Sequence, residues 1–187
     1  MLTEANLMNF ERTTDQLEEL LFFSLCVAGK NSQITMRGVN RLFEGKSHPF
    51  RWLRSLLNKK QFIPMMKKVG LGQYNRMQKS ARCMVDSEID LHTCSVAELE
   101  SLHGIGPKTA RFFLAFSRKG VKVAILDVHI LRWMKKHGIK TPNKTPSTRK
   151  NYWELEKKYL ALARRMKQNP AKLDYKVWLS SRKPVNV

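Results

Sequence analysis

Leu99-Glu100-Ser101-Leu102-His103-Gly104-Ile105-Gly106-Pro107-Lys108-Thr109-Ala110 joins two helical segments through a turn that only small residues permit. Ser95, with Glu98 three residues on, is a capping box that opens a short helix over Val96–Ser101. Gly104 and Gly106, separated by one apolar residue, let the backbone turn sharply and approach another surface closely. Pro107 suits the first turn of the helix that follows. That helix aims its unpaired N–H groups at the opening, where a phosphate can sit. Ala110 is small enough for the two helices to pack closely.

Outward from this hairpin the periodicity is helical in both directions. Toward the N-terminus, Thr14-Asp15-Gln16 opens a helix whose apolar run, Leu20 to Val27, is buried on most sides. Further helices are expected over Ile34–Phe43, Phe50–Leu57, Gln61–Lys68 and Gln73–Val85. Toward the C-terminus, Asp127 opens a helix to about His137, and Thr141–Thr148 is a loop. A long helix then covers about Lys150 to Lys167, and a short one Lys172–Leu179. With no alternating strand pairs, internal repeat or low-complexity tract, the fold class is all-α.

The chain has 187 residues, 42% of them hydrophobic, which is enough to fill one large core or two small ones. Its formal charge of +20 is lopsided: residues 1–100 carry 14 Lys/Arg against 11 Asp/Glu, and residues 101–187 carry 21 against 4. A globular chain this basic repels itself, so an anionic partner is implied. The basic residues are not confined to one amphipathic helix, which argues for nucleic acid over a membrane surface. Cys26, Cys83 and Cys94 are odd in number and far apart, which fits neither a disulfide framework nor a zinc site. No leader-like n-region precedes an apolar run, and Leu20–Ala28 is too short to span a bilayer. An intracellular location is expected, cytoplasm or nucleoid, or the nucleus or an organelle in a eukaryote.

Two side chains carry chemistry. Lys108 lies in the first turn of the second hairpin helix, where the positive end of the helix dipole disfavours a cation. An ordinary lysine, with a pKa of about 10.4, is protonated and non-nucleophilic at neutral pH. A field favouring the neutral amine therefore suits a nucleophile. Asp127 reads first as an N-cap. Its place some twenty residues beyond Lys108, before Val128-His129-Ile130, also suits a carboxylate that stabilises developing positive charge.

The hairpin, taken with Ala124-Ile125-Leu126-Asp127-Val128-His129-Ile130-Leu131-Arg132, resembles the helix-hairpin-helix/Gly-Pro-Asp superfamily of DNA glycosylases. The likeness to compact 8-oxoguanine glycosylase/lyases and to endonuclease III covers most of the chain. It implies a base-excision repair enzyme that expels an oxidised base, 8-oxoguanine being favoured, through Lys108 with Asp127 as the essential carboxylate. The lysine Schiff base would then permit strand cleavage by β-elimination. It implies two helical lobes with DNA in the cleft between them, one over 15–125 and a basic one of 1–14 plus 126–187.

The hairpin would hold one phosphate through the amides around Gly104 and Gly106, aided by a monovalent cation on the carbonyls of Glu100, Leu102 and Ile105. His129 and Arg132 are placed near phosphate. Leu20 to Phe43 resembles the helix-loop-helix that carries the base-displacing loop, which makes Lys30 and Asn31 wedge candidates. Candidate pocket walls are Phe22, Phe23, Trp133, Asp174, Tyr175 and Trp178.

No cysteine follows Cys94, so the usual iron–sulfur cluster of endonuclease III has no ligands there, and no cofactor is expected to be required. One compact group reads the base through a C-terminal lysine; this chain ends Arg182-Lys183-Pro184-Val185-Asn186-Val187, so that element is absent or altered. The expected partner of this monomer is duplex DNA with a damaged base. Alternatives are an endonuclease III-like activity on oxidised pyrimidines, or a helix-hairpin-helix module that binds DNA without chemistry.

Overall fold

Ten helices and no strands make up the described residues of the computed structural model, 1–181, so the all-α expectation holds. The C-terminal run 182–187, where the lysine element is expected to be absent or altered, lies outside the described residues. The chain forms two compact units, one over Met1–Ile105 and a second that starts at Gly106.

The first unit holds α1 (Thr14–Cys26), α2 (Ser32–Phe43), α3 (Pro49–Asn58), α4 (Phe62–Lys68), α5 (Tyr74–Val85) and α6 (Val96–Ser101). A capping box between Thr13 and Gln16 starts α1. Every residue from Leu20 to Cys26 is buried, so α1 is the central post of this unit, against which α2, α3 and α5 pack. The residues before α1 also fold onto this unit. The Leu2 amide donates to Asn40 Oδ1 at 2.9 Å, Asn40 Nδ2 donates to the Leu2 carbonyl at 2.8 Å, and Leu2 and Leu7 are buried. Burial of the Cys26 thiol pushes its pKa up to about 12, so it stays protonated as a small core residue.

The second unit holds α7 (Pro107–Ser117), α8 (Val128–Lys136), α9 (Arg149–Arg165) and α10 (Pro170–Ser180). Thr148 caps α9 and Asn169 caps α10, each accepting an amide three residues on. The inner face of α9 presents Tyr152, Leu155, Tyr159 and Ala163 to Ile130, Leu131 and Met134 of α8 and to Leu173 and Val177 of α10. Ala124 and Leu126, from the extended segment between α7 and α8, enter the same core fully buried. The boundary between the two units falls inside the hairpin.

Candidate active site

An extended backbone buried without a sheet partner must find hydrogen bonds elsewhere. Residues 124–127, which lead into α8, find them on side chains of the two following helices. The Ala124 amide donates to Glu156 Oε1 at 2.9 Å, the Ile125 amide to Asp174 Oδ2 at 3.1 Å, and the Leu126 amide to the Tyr152 hydroxyl at 2.9 Å. That hydroxyl donates in turn to the Ala124 carbonyl at 2.8 Å, and Thr145 Oγ1 donates to the Leu126 carbonyl at 2.8 Å. The segment is therefore anchored at every step before it delivers Asp127.

Asp127 is the N-cap of α8. Its Oδ1 accepts both cap bonds, from the His129 amide at 2.8 Å and the Ile130 amide at 2.9 Å. Its Oδ2 has no hydrogen bond among the described residues, and the side chain is half-buried. Capping thus occupies one of the two oxygens. Lys108, also half-buried, is the second residue of α7, and Gly106 caps that helix with no side chain to compete for the first amides. One helical turn on, buried Arg111 donates through Nη1 to the Pro107 carbonyl at 3.1 Å.

Asp174, a candidate for the pocket, is buried at 5% exposure and serves the Ile125 amide. Burial pushes its carboxyl well above the usual range and the charge of Asp127 adds to this, while the Ile125 N–H and Lys108 oppose it. Its neighbours Tyr152 and Tyr159 are also pushed up, mainly by burial. In the unfolded chain Asp174 loses its proton at ordinary carboxylate pH, so the stability tied to holding that proton fades as pH rises through the raised folded value. Asp174→Asn keeps an oxygen for the Ile125 amide and removes the titration. We expect the variant's urea midpoint to gain on wild type steadily from acid to alkaline pH; parallel curves would mean that Asp174 is ionised in the fold.

The two hairpin glycines answer to different demands. Gly104 has φ +84°, and a Cβ there would overlap Ser80 Oγ and lie 3.1 Å from Ser80 Cβ. Ser80 is buried and bonded to His103 Nδ1 at 3.2 Å, so it has little room to yield. Gly106 has an ordinary φ of −92°, and a Cβ on it would meet nothing within 4 Å. The fold needs no glycine there, so the open space is available to a molecule that approaches from outside. Gly104→Ala is expected to lose about 2 kcal/mol, from the left-handed backbone and the displaced serine, lowering Tm by several degrees. Gly106→Ala should melt with wild type yet bind duplex DNA about tenfold more weakly, roughly 1.4 kcal/mol. Melting curves and fluorescence anisotropy on both variants check the contrast.

His129 is half-buried and Arg132 exposed; three residues apart, they share one face of α8. The wedge candidates are more constrained than expected. Asn31 caps α2, accepting the Ile34 amide at 3.0 Å, and Lys30 Nζ donates to the Gly72 carbonyl at 3.2 Å. Beside them Ile34, an apolar side chain in the first turn of α2, is 62% exposed.

Phe22 and Phe23 are buried in the core of the first unit, with Phe22 edge-on to Phe43. Trp133 packs on the core of the second, over His137 and against Tyr159. Tyr175 and Trp178, half-buried on α10, stack with ring centroids 5.8 Å apart, and Phe116 stands edge-on to Tyr175. At the hairpin carbonyls, that of Leu102 accepts the Ile105 amide at 3.1 Å, which leaves it one lone pair; Glu100 lies in the last turn of α6. The three carbonyls of Glu100, Leu102 and Ile105 are chemically suited to a weakly held monovalent cation.

Solved structures share this arrangement of helices. The 8-oxoguanine DNA glycosylase of Thermotoga maritima superposes with a TM-score of 0.73 at 23% identity, over 98% of this chain and 88% of its own. That of Methanocaldococcus jannaschii gives 0.71 at 20% identity, over 96% and 85%. The family description "8-oxoguanine DNA glycosylase" matches residues 3–168, a span that includes the hairpin, Lys108, Asp127 and the helix that carries Tyr152 and Glu156. With that match over most of its length, the chain belongs to the 8-oxoguanine DNA glycosylase family.

Proposed function

We propose that this base-excision glycosylase removes 8-oxoguanine from duplex DNA and then cleaves the abasic strand through a Schiff base on Lys108. The reading is supported by Lys108 in the first turn of α7, at the helix's positive end, and by a capped Asp127 whose Oδ2 has no hydrogen bond among the described residues. The Lys108 amine attacks C1′ and gives up a proton as the N-glycosidic bond breaks, and the base leaves with its electron pair and takes up a proton. Asp127 offsets the positive charge that builds on the sugar as that bond lengthens. Loss of the ring oxygen's bond to C1′ gives an iminium, which acidifies the C2′ proton; its removal expels the 3′ phosphate.

The N–H groups that open α7, with Gly106, receive one phosphate, and a monovalent cation on the carbonyls of Glu100, Leu102 and Ile105 would add positive charge beside it. His129 and Arg132 take a neighbouring phosphate. Lys30, Asn31 and the exposed Ile34 fill the gap left by the extruded base, and the Tyr175–Trp178 stack supplies an aromatic wall for that base. The reading needs no iron–sulfur cluster or other cofactor, and it describes a monomer that meets genomic DNA inside the cell.

The test is to incubate wild type with duplexes bearing 8-oxoguanine, an oxidised pyrimidine, uracil or an abasic site, with borohydride present to trap a Schiff base. An adduct and a nick on the 8-oxoguanine duplex are expected. Adduct on the oxidised pyrimidine alone would instead favour an endonuclease III-like specificity. Binding without adduct or cleavage on any duplex would overturn the lyase.

A further inference from the structure

Residues 101–187 contain only four carboxylates, and Asp127, Glu156 and Asp174 all accept backbone amides of the segment 124–130. Glu156 does more. Its Oε1 and Oε2 receive Arg111 Nε at 2.8 and 2.9 Å, while Oε1 also receives the Ala124 amide. Arg111 belongs to the helix that carries Lys108, grips the carbonyl of Pro107 beside it, and lies 4.6 Å over the Tyr152 ring. Tyr152 in turn holds Leu126, the residue before Asp127, by its amide. One buried carboxylate on α9 thus holds the segment that ends at Asp127 directly and the first turn of α7 through Arg111. A buried ion pair is a poor means of gaining stability, since apolar side chains of the same volume often do as well or better. It does impose one geometry on the groups it joins.

We infer that Glu156, seconded by Tyr152, is a positioning residue that sets Lys108 and Asp127 in register with each other, touching neither substrate nor reacting atoms. The inference rests on the proposed role of the Lys108–Asp127 pair and goes beyond it in naming what holds the pair. Bringing reacting groups into line contributes strongly to rate, and small misplacements are costly.

The test compares wild type, Glu156→Gln, Arg111→Gln, the double variant and Tyr152→Phe by single-turnover cleavage of the lesion duplex that wild type cleaves, at saturating protein. The active fraction of each preparation is counted by borohydride trapping on abasic DNA, and affinity is measured separately. We expect Glu156→Gln to lower the rate constant per active molecule tenfold or more with the DNA Kd within threefold. The double variant should lose much less than the product of the single losses, and Tyr152→Phe should lose severalfold.

A purely structural role would lower Tm and the active fraction and leave that rate constant unchanged, and this result would overturn the inference. Should Glu156→Gln fail to fold, Tyr152→Phe decides: it keeps the ring beneath Arg111 and removes only the hydroxyl, so a wild-type rate there overturns the proposal and a slowed one sustains it. Wild type that forms no adduct on any duplex, abasic DNA included, marks a failure of the lyase reading; an active wild type with equally fast variants marks a failure of this one.

Discussion

Lys108→Gln is expected to abolish the borohydride adduct and to slow base release by about a thousandfold or more, since no other group supplies the attacking amine. Duplex binding should change by no more than a fewfold, because the amides that open α7 and the space at Gly106 are untouched. The variant should also melt at or slightly above wild type. Removing a cation from the positive end of a helix relieves a repulsion of a few tenths of a kcal/mol. Loss of activity with gained or equal stability is the signature of a residue kept for chemistry. An adduct that persists in Lys108→Gln would transfer the nucleophile's role to another amine.

The companion experiment is Asp127→Asn. Asparagine caps helices about as well as aspartate. Its side-chain oxygen can accept the His129 and Ile130 amides that Asp127 Oδ1 now accepts. Stability should therefore shift by less than about 0.5 kcal/mol, while the charge that meets the developing sugar cation is gone. A fall of about a hundred- to a thousandfold in single-turnover excision is expected, in keeping with the loss of one well-placed electrostatic group. Asp127→Ala would lose the cap as well, about 1 kcal/mol, and so confuse the two effects. A rate within threefold of wild type in Asp127→Asn would leave Asp127 with its capping role alone.

What the sequence disclosed follows a physical line. Capping boxes, proline at a first turn and an aspartate before an apolar period are local signals, and the helices of Ser95–Glu98, Pro107 and Asp127 stand where those residues place them. The helix-start positions of Lys108 and Asp127 were legible for the same reason. The support behind them was not. Arg111 and Glu156 are 45 residues apart in the chain, and Ile125 and Asp174 are 49 apart, so no local pattern pairs them. Asp174 and Phe23 were candidate pocket walls, Phe23 at a helical spacing that also suits a core position. The fold buries the first against a bare amide and the second in the core. Asn31 was a wedge candidate, and a polar residue before an apolar helix is also a cap, as it is here.

The placement of the carboxylates has a consequence for how the protein searches a genome. Two of the four acids in residues 101–187 are buried, and Asp127 is half-buried at its cap; Glu154 alone is exposed. The face this unit turns to water is left almost without negative charge to soften its attraction to a phosphodiester chain. First contact with any duplex is then driven by release of condensed counterions, falling linearly in logarithmic terms as salt rises, and is blind to sequence. Ionic strength sets how long each undamaged stretch is held, and the rejection of normal bases is left to steps that follow contact.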